Sequence, residues 1–197
     1  MNFRKLQDMQ AKLDEAVLAE KAPMTAEERF NKTLVALSVE IAEVANCAEH
    51  FKFWKDNKGK IDSERFGENH FFVNDELVFT DYIEEKTGIQ YEFEQAHRLT
   101  LIEECSDALH FILSLANQID YKIVGIGTHF EISKDEDSLE INFLFLNQLI
   151  GLGDFNHFHH SDLEMIIDVF FIYVNQLDIS EQELEQAYYD KNKIKLN

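Results

Sequence analysis

The sequence predicts an all-α helical bundle, and three observations carry this prediction. Seven glycines and one proline in 197 residues are too few for a turn-rich β-sandwich, a barrel or a glycine-cradled nucleotide site. Apolar residues recur at spacings of three and four, which is the period of a helix. Capping boxes, in which Ser or Thr precedes Glu by three residues, open several of these segments, at Thr25, Ser161 and Ser180.

Each helix of the bundle has its own signal. The first covers Phe3–Leu18. The second begins after Thr25 and reaches Trp54, and its apolar stripe is Leu34, Leu37, Ile41, Val44, Ala48 and Phe51. The third is marked by apolar residues from Leu99 to Ile119. The remaining helices are predicted at Ser138–Ile150, at Ser161–Leu177 and, as a short one, after Ser180.

The segment between the two long helices differs in character from the rest. Asp56–Tyr91 is polar, is punctuated by glycine and carries scattered aromatic residues. We therefore predict an insertion there, with a short hairpin near Phe71–Phe79, inside a single domain that covers residues 1–197. The histidines at 157, 159 and 160 are interpreted as part of a loop and not as a metal site.

The composition limits the class of partner. Eighteen Lys and Arg against 38 Asp and Glu give a formal charge of −20, which argues against binding nucleic acid through its phosphates. A hydrophobic share of 45%, with 17 Phe, argues for a folded core. No apolar stretch is long enough to span a bilayer, and we expect no signal peptide. The two cysteines lie in helical segments, which favours a reduced, cytoplasmic setting.

The acids of the two long helices are the most informative residues. Their only charged side chains are Glu40, Glu43 and Glu49 between residues 33 and 51, and Glu103, Glu104 and Asp107 between residues 99 and 119. Glu40 and Glu43 are three residues apart, as are Glu104 and Asp107, so each pair lies within about 60° on one helix face. Buried carboxylates that converge are stable only if they protonate or hold cations.

Four hard oxygen donors favour Mg²⁺, with Mn²⁺ as the alternative, over zinc. A single Glu-x-x-Glu pair is usually a solvated helix face, but two pairs on otherwise apolar helices favour a metal site. A di-iron carboxylate bundle is the nearest rival, and it requires Glu-x-x-His on two helices. Here the second pair ends in Asp107, and the only nearby imidazole is His110. Iron therefore ranks below magnesium.

Several stretches also resemble a known family, the dimeric all-α dUTPases, within the wider class of all-α nucleotide pyrophosphohydrolases that includes MazG-like proteins. The stretches are Met9–Asp14, Leu34–Asn46, Phe51–Lys55, Leu101–Leu115 and Ala187–Asn192. The resemblance implies that Glu40, Glu43, Glu104 and Asp107 hold two or more Mg²⁺ ions, and that activated water converts dUTP to dUMP and pyrophosphate. It implies Glu40 or Glu43 as the general base, without choosing between them, and a homodimer.

The resemblance also suggests residues that bind the substrate: Gln10, Trp54, Lys55, His110, Lys191, Asn192 and Lys195. Gln10 matches a position that contacts uracil, with an exposed helical glutamine as the alternative. Trp54 packs against sugar or base if the second helix continues that far, or else is a core aromatic residue at the helix end. His110 either orders a ligand or fills the core. The lysines and Asn192 contact phosphate, with solvated lysine side chains as the alternative.

Two departures from the family pattern keep other functions open. Sixty residues separate Glu43 from Glu104, where the family often has a short link, and Lys195 stands where its C-terminal motif commonly has Asn. Other nucleotides such as dCTP are therefore alternative substrates. A catalytically idle acidic module that binds a protein partner is the alternative from another class. The aromatic stretches Phe143–Leu146 and Val169–Tyr173 suit either a dimer face or a monomer core.

Overall fold

Six helices and a three-stranded antiparallel sheet make up the part of the chain that the structure, a computed structural model, describes: residues 1–73, 76–126 and 138–195. The helices are α1 (Phe3–Ala19), α2 (Ala26–Ala48), α3 (Phe93–Gln118), α4 (Leu139–Gly151), α5 (His160–Gln176) and α6 (Glu181–Lys195). The strands are β1 (Phe66–Val73), β2 (Glu76–Glu84) and β3 (Gln90–Tyr91). The prediction of an all-α protein is confirmed, and the small sheet falls within the predicted insertion.

Helix α3 lies at the centre of the fold. It packs against α1, α2, α5 and α6, and most of its residues from Thr100 to Ala116 are buried. The helix begins at Phe93, earlier than the apolar pattern suggests, because Glu92 and Gln95 form a capping box. Because four helices pack against α3, side chains from several elements converge on it.

Helix α2 ends at Ala48, so the prediction that it reaches Trp54 is wrong. Glu49 takes a left-handed conformation with φ of 53°, and its N–H bonds to the Ala45 carbonyl as a C-cap. The Glu49 carboxylate then turns back and accepts a hydrogen bond from the Gly59 N–H at 3.1 Å. The chain after residue 49 therefore leaves the helix axis, and Trp54 does not share a helix face with Glu43.

The insertion forms a hairpin. Strands β1 and β2 pair in antiparallel register from Phe66 opposite Glu84 to Val73 opposite Glu76, and β3 adds to the outer side of β2. The hairpin is longer than predicted, and it reaches the bundle because Phe66 is buried and Arg65 contacts α3.

The aromatic stretch of α5 belongs to the monomer core. Val169, Phe170, Phe171 and Tyr173 are all buried, whereas α4 exposes Leu144. Both cysteines of the chain are buried and free. Within the described residues, no helix combines the length and the hydropathy required to span a membrane.

Candidate active site

Three of the four predicted carboxylates come together between α2 and α3. Carboxylate oxygens of Glu40, Glu43 and Glu104 all lie within 4.8 Å of one another. Glu40 and Glu104 are partly buried, and Glu43 is exposed. Asp107 lies beside this group, since its charge acts on both Glu40 and Glu104. The helical spacing thus brings three of the four acids together and leaves Asp107 beside them.

The acid cluster is electrostatically unfavourable without a cation. Burial, with the charges of Asp107, Glu43 and Glu104, raises the pKa of Glu40 from 4.5 to about 7. Burial, with the charges of Glu43 and Asp107, raises the pKa of Glu104 to about 7 as well. Each carboxylate therefore resists ionisation at neutral pH, first because it is partly buried and then because its neighbours have the same charge.

One lysine reaches the cluster from α6. The Lys191 ammonium forms a hydrogen-bonded ion pair with Asp107, and it lies 3.4 Å from Glu103 Oε1. Burial acts to lower the pKa of Lys191, but these two carboxylates outweigh it and raise the pKa. Lys191, predicted as a substrate-binding residue, thus lies at the edge of the acid cluster, although one ammonium cannot balance four carboxylates.

A buried polar network lies next to the cluster, on α1, α3 and α6. Gln10 Oε1 accepts hydrogen bonds from His110 Nδ1 at 2.7 Å and from the Tyr188 hydroxyl at 2.9 Å. The His110 ring stacks on Tyr188 with centroids 4.2 Å apart. His110 follows Asp107 by three residues and Tyr188 precedes Lys191 by three, so the network is about one helical turn from the acids.

Asp14 completes the network and was not singled out by the sequence. It accepts hydrogen bonds from Gln10 Nε2 at 2.7 Å, Ser114 Oγ at 2.7 Å and Arg29 at 2.8 Å. Gln10 is only 4% exposed, so the alternative of an exposed helical glutamine is wrong. The available signal was the spacing of four between Gln10 and Asp14, which places both on one face of α1.

Asn192 lies fully buried on α6, in the turn that carries Lys191. Its Nδ2 is 3.5 Å from the Tyr188 carbonyl oxygen. Its Oδ1 has no hydrogen-bond partner among the described residues, which is uncommon for a buried amide. Lys195 is the last residue of α6, and its side chain lies outside the described part of the chain.

Trp54 and Lys55 lie on the turn that follows α2. Trp54 is 65% exposed and contacts Phe51 and Phe53, so it is not a core aromatic residue. The Lys55 ammonium pairs with Glu49, and Lys52 reaches the same carboxylate at 2.7 Å. In the structure, the Lys55 ammonium is therefore engaged in an ion pair with the Glu49 carboxylate.

The donor set of the acid cluster fits a hard divalent cation. All the donors are carboxylate oxygens, which suit Mg²⁺ or Mn²⁺. Two oxygens on one Mg²⁺ ion are up to about 4.2 Å apart, comparable with the spread of the three glutamates. Burial of several carboxylates with a shortage of cations is the physical condition that a bound ion relieves.

Fold and site together define an all-α protein whose carboxylates converge between its central helices, next to a buried polar network. Comparison with protein families gives the assignment: the family model described as dUTPase matches residues 2–74 and 91–197. The chain therefore belongs to the dUTPase family and is a hydrolase, a dUTP diphosphatase. A search of curated proteins found no match. The unmatched residues 75–90 contain strand β2 of the hairpin.

Proposed function

We propose that this dUTP diphosphatase depends on Mg²⁺, with Mn²⁺ as a substitute, held by Glu40, Glu43, Glu104 and Asp107. The observation that carries the proposal is the convergence of Glu40, Glu43 and Glu104 between two helices, with Asp107 beside them. The raised pKa values of Glu40 and Glu104 support it, because burial and mutual repulsion both disfavour the anions that a cation would stabilise. When bound, the metal supplies neutralisation of the triphosphate charge and a lower pKa for nearby water.

Among the residues of the chain, Glu40 is the proposed general base. It is partly buried, and without metal its pKa is raised to about 7, so it takes up a proton more readily than an ordinary glutamate. Glu43 is exposed and serves as a ligand. A water molecule hydrogen-bonded to Glu40 donates one proton to the carboxylate while the water oxygen attacks phosphorus. The bridging P–O bond breaks and the products are dUMP and pyrophosphate.

The buried network beside the acids is the proposed base pocket. Gln10 and His110 offer amide and imidazole groups that can recognise the polar edge of uracil, and Tyr188 holds His110 in place by stacking. Asn192 Oδ1 supplies an acceptor that no described residue uses. Because Gln10 is already bonded to His110, Tyr188 and Asp14, uracil must replace some of these bonds, and a base that cannot replace them is disfavoured.

Phosphate contacts are proposed for Lys191 and, on the turn after α2, for Lys55, with Lys195 as a further candidate. The ammonium of Lys191 already lies at the acid cluster. For Lys55 to reach phosphate, it must leave Glu49, where Lys52 remains as a counter-charge. Trp54, exposed on the same turn, is available to cover sugar or base.

We also propose a homodimer in the cytoplasm. Val35 and Val39 on α2 and Ile141 and Leu144 on α4 are about half or more exposed, and the two helices pack together. An exposed apolar surface of this kind suits a second copy of the chain. The net charge of −20 opposes a nucleic acid partner.

Incubating the protein with each deoxynucleoside triphosphate tests the proposal. We expect dUMP and pyrophosphate from dUTP with Mg²⁺ or Mn²⁺, and none after EDTA treatment. Chromatography of the nucleotides and a pyrophosphate assay give the readout. Turnover that survives EDTA would overturn the metal dependence. Faster hydrolysis of dCTP than of dUTP would overturn the uracil pocket and favour the broader pyrophosphohydrolase alternative.

A further inference from the structure

A chain of alternating charges connects the hairpin to the acid cluster. Arg65 donates to Glu84 of β2 at 2.8 Å and to Glu103 Oε2 of α3 at 2.8 Å. The other oxygen of Glu103 faces the Lys191 ammonium at 3.4 Å, and Lys191 in turn pairs with Asp107. The two oxygens of Glu103 thus face cations from two different elements.

We propose that Glu103 is a positioning residue that holds the Lys191 ammonium at the edge of the acid cluster for contact with the triphosphate. The inference rests on the proposed phosphate role of Lys191. Glu103 is not one of the four carboxylates proposed to bind metal, and its nearest contacts are Arg65 and Lys191. Its action on the substrate passes through Lys191.

Geometry explains why Lys191 needs a second partner. A lysine side chain has four flexible methylene groups, and fixing them costs conformational entropy. With Asp107 as its only partner, the Lys191 ammonium would lie among the carboxylates that are proposed to bind metal. Glu103, four residues earlier on α3, is one turn away along the helix and draws it toward the hairpin. Lys191 therefore lies between two carboxylates.

Arg65 makes this arrangement rigid. The burial of Arg65 acts to lower its pKa, but the hydrogen bonds to Glu84 and Glu103 outweigh it, so the guanidinium remains charged. A planar guanidinium that bridges two carboxylates fixes their direction better than an ammonium does. Glu84 lies in the segment that the dUTPase family model does not match. The hairpin thus contributes to the position of Lys191.

Calorimetric titration of the full-length chain with the non-hydrolysable analogue α,β-imido-dUTP and with dUMP, both with Mg²⁺, tests the proposal. Glu103→Gln is expected to weaken analogue binding about 3–10-fold and to leave dUMP binding within about twofold. Arg65→Gln is expected to act in the same direction with a smaller effect. In steady-state assays, Glu103→Gln raises KM and leaves kcat within about twofold.

A double-mutant cycle gives the sharpest result. In the Lys191→Met background, Glu103→Gln is expected to cause no further loss of analogue binding, because the group that it positions is gone. Glu183→Gln is the matched control. It removes the charge from the 2.6 Å pair with Arg98, in the groove that Glu103 and Lys191 also line, and it is expected to lower the melting temperature while leaving analogue binding unchanged.

Three outcomes would overturn the proposal: additive effects of Glu103→Gln and Lys191→Met, an equal loss of dUMP binding, or tighter analogue binding in Glu103→Gln. The last would mean that Glu103 acts only as a repelling charge. These binding measurements need no turnover. A wild-type protein that failed to hydrolyse dUTP with Mg²⁺ would count against the proposed function and leave the coupling between Glu103 and Lys191 measurable.

Discussion

Helix α2 presents two carboxylate sites with opposite electrostatics. At its C-terminus, Glu49 is 1% exposed, and burial acts to raise its pKa. Lys52, Lys55 and the Gly59 N–H outweigh burial and lower the pKa to about 2. Nine residues earlier, burial and neighbouring acids raise the pKa of Glu40 to about 7.

Burial acts to raise the pKa of both carboxylates, and their partners make the difference: cations and an N–H outweigh burial at Glu49, whereas neighbouring acids add to it at Glu40. Lys52 and Lys55, which pair with Glu49, lie on the turn that follows it, so Glu49 stabilises this turn. Glu40 faces Glu43, Glu104 and Asp107, with Lys191 as a partial compensation. The first site is complete within the chain. The second has more negative than positive charge, which is the property of a site that binds cations.

The largest expected effect is a loss of catalysis when Glu40, in the acid cluster, is replaced. Glu40→Gln removes the proposed base and one metal ligand, so kcat for dUTP should fall by about 10²–10⁴-fold. Product formation measured by chromatography checks this. Glu68→Gln, an isosteric change at an exposed hairpin residue, is the control and should retain full turnover. Undiminished activity of Glu40→Gln would show that the acid cluster is not catalytic.

A second substitution, at Glu49, is expected to change stability. Glu49→Ala removes a buried carboxylate with three hydrogen-bonding partners, and the free energy of unfolding should fall by about 2–3 kcal/mol. Denaturant unfolding gives the measurement. Glu40→Gln in EDTA should instead leave stability unchanged or raise it, because it relieves like-charge repulsion. If both variants lost equal stability, the two sites would not differ as described.

The smallest expected effect is a pH dependence. The folded-state pKa values of Glu40 and Glu104 exceed the unfolded value of 4.5. The folded protein therefore holds more protons, and without metal its stability falls as pH rises from about 4.5 to about 7. Between pH 5.5 and pH 8 in EDTA, the melting temperature should drop by about 2–4 °C.

Two comparisons sharpen this pH test. Saturating Mg²⁺ should remove the drop in melting temperature, because a bound cation favours the ionised carboxylates. The stabilising effect of Glu49 and Glu183, whose pKa values are lowered to about 2, is lost only below pH 4.5 and does not enter this window. A drop that persisted in the double variant Glu40→Gln, Glu104→Gln would have to come from other groups.

The convergence of the acids could be predicted from the sequence because it depends on local periodicity. Glu40 with Glu43, and Glu104 with Asp107, have helical spacing on apolar helices, so each pair must share a face. The packing of α2 against α3 then brings the pairs together. The helical fold was predictable for the same reason.

Features that depend on distant or unusual contacts could not be predicted. Helix α2 ends at Ala48 because Glu49 adopts a positive φ, a conformation that sequence propensity assigns to Gly or Asn. Its partner Gly59 is ten residues away. Glu103 meets Arg65 across 38 residues, and Asp14 meets Ser114 across 100. No periodic pattern encodes such pairs.

The two cysteines have a practical consequence. Burial raises the pKa of the Cys47 thiol to about 12 and also raises that of Cys105, so neither forms a reactive thiolate at neutral pH. A cysteine introduced at the exposed position of Trp54 would then be the only residue that a maleimide dye modifies. The wild-type background thus already suits site-specific labelling for fluorescence studies of how the turn after α2 moves.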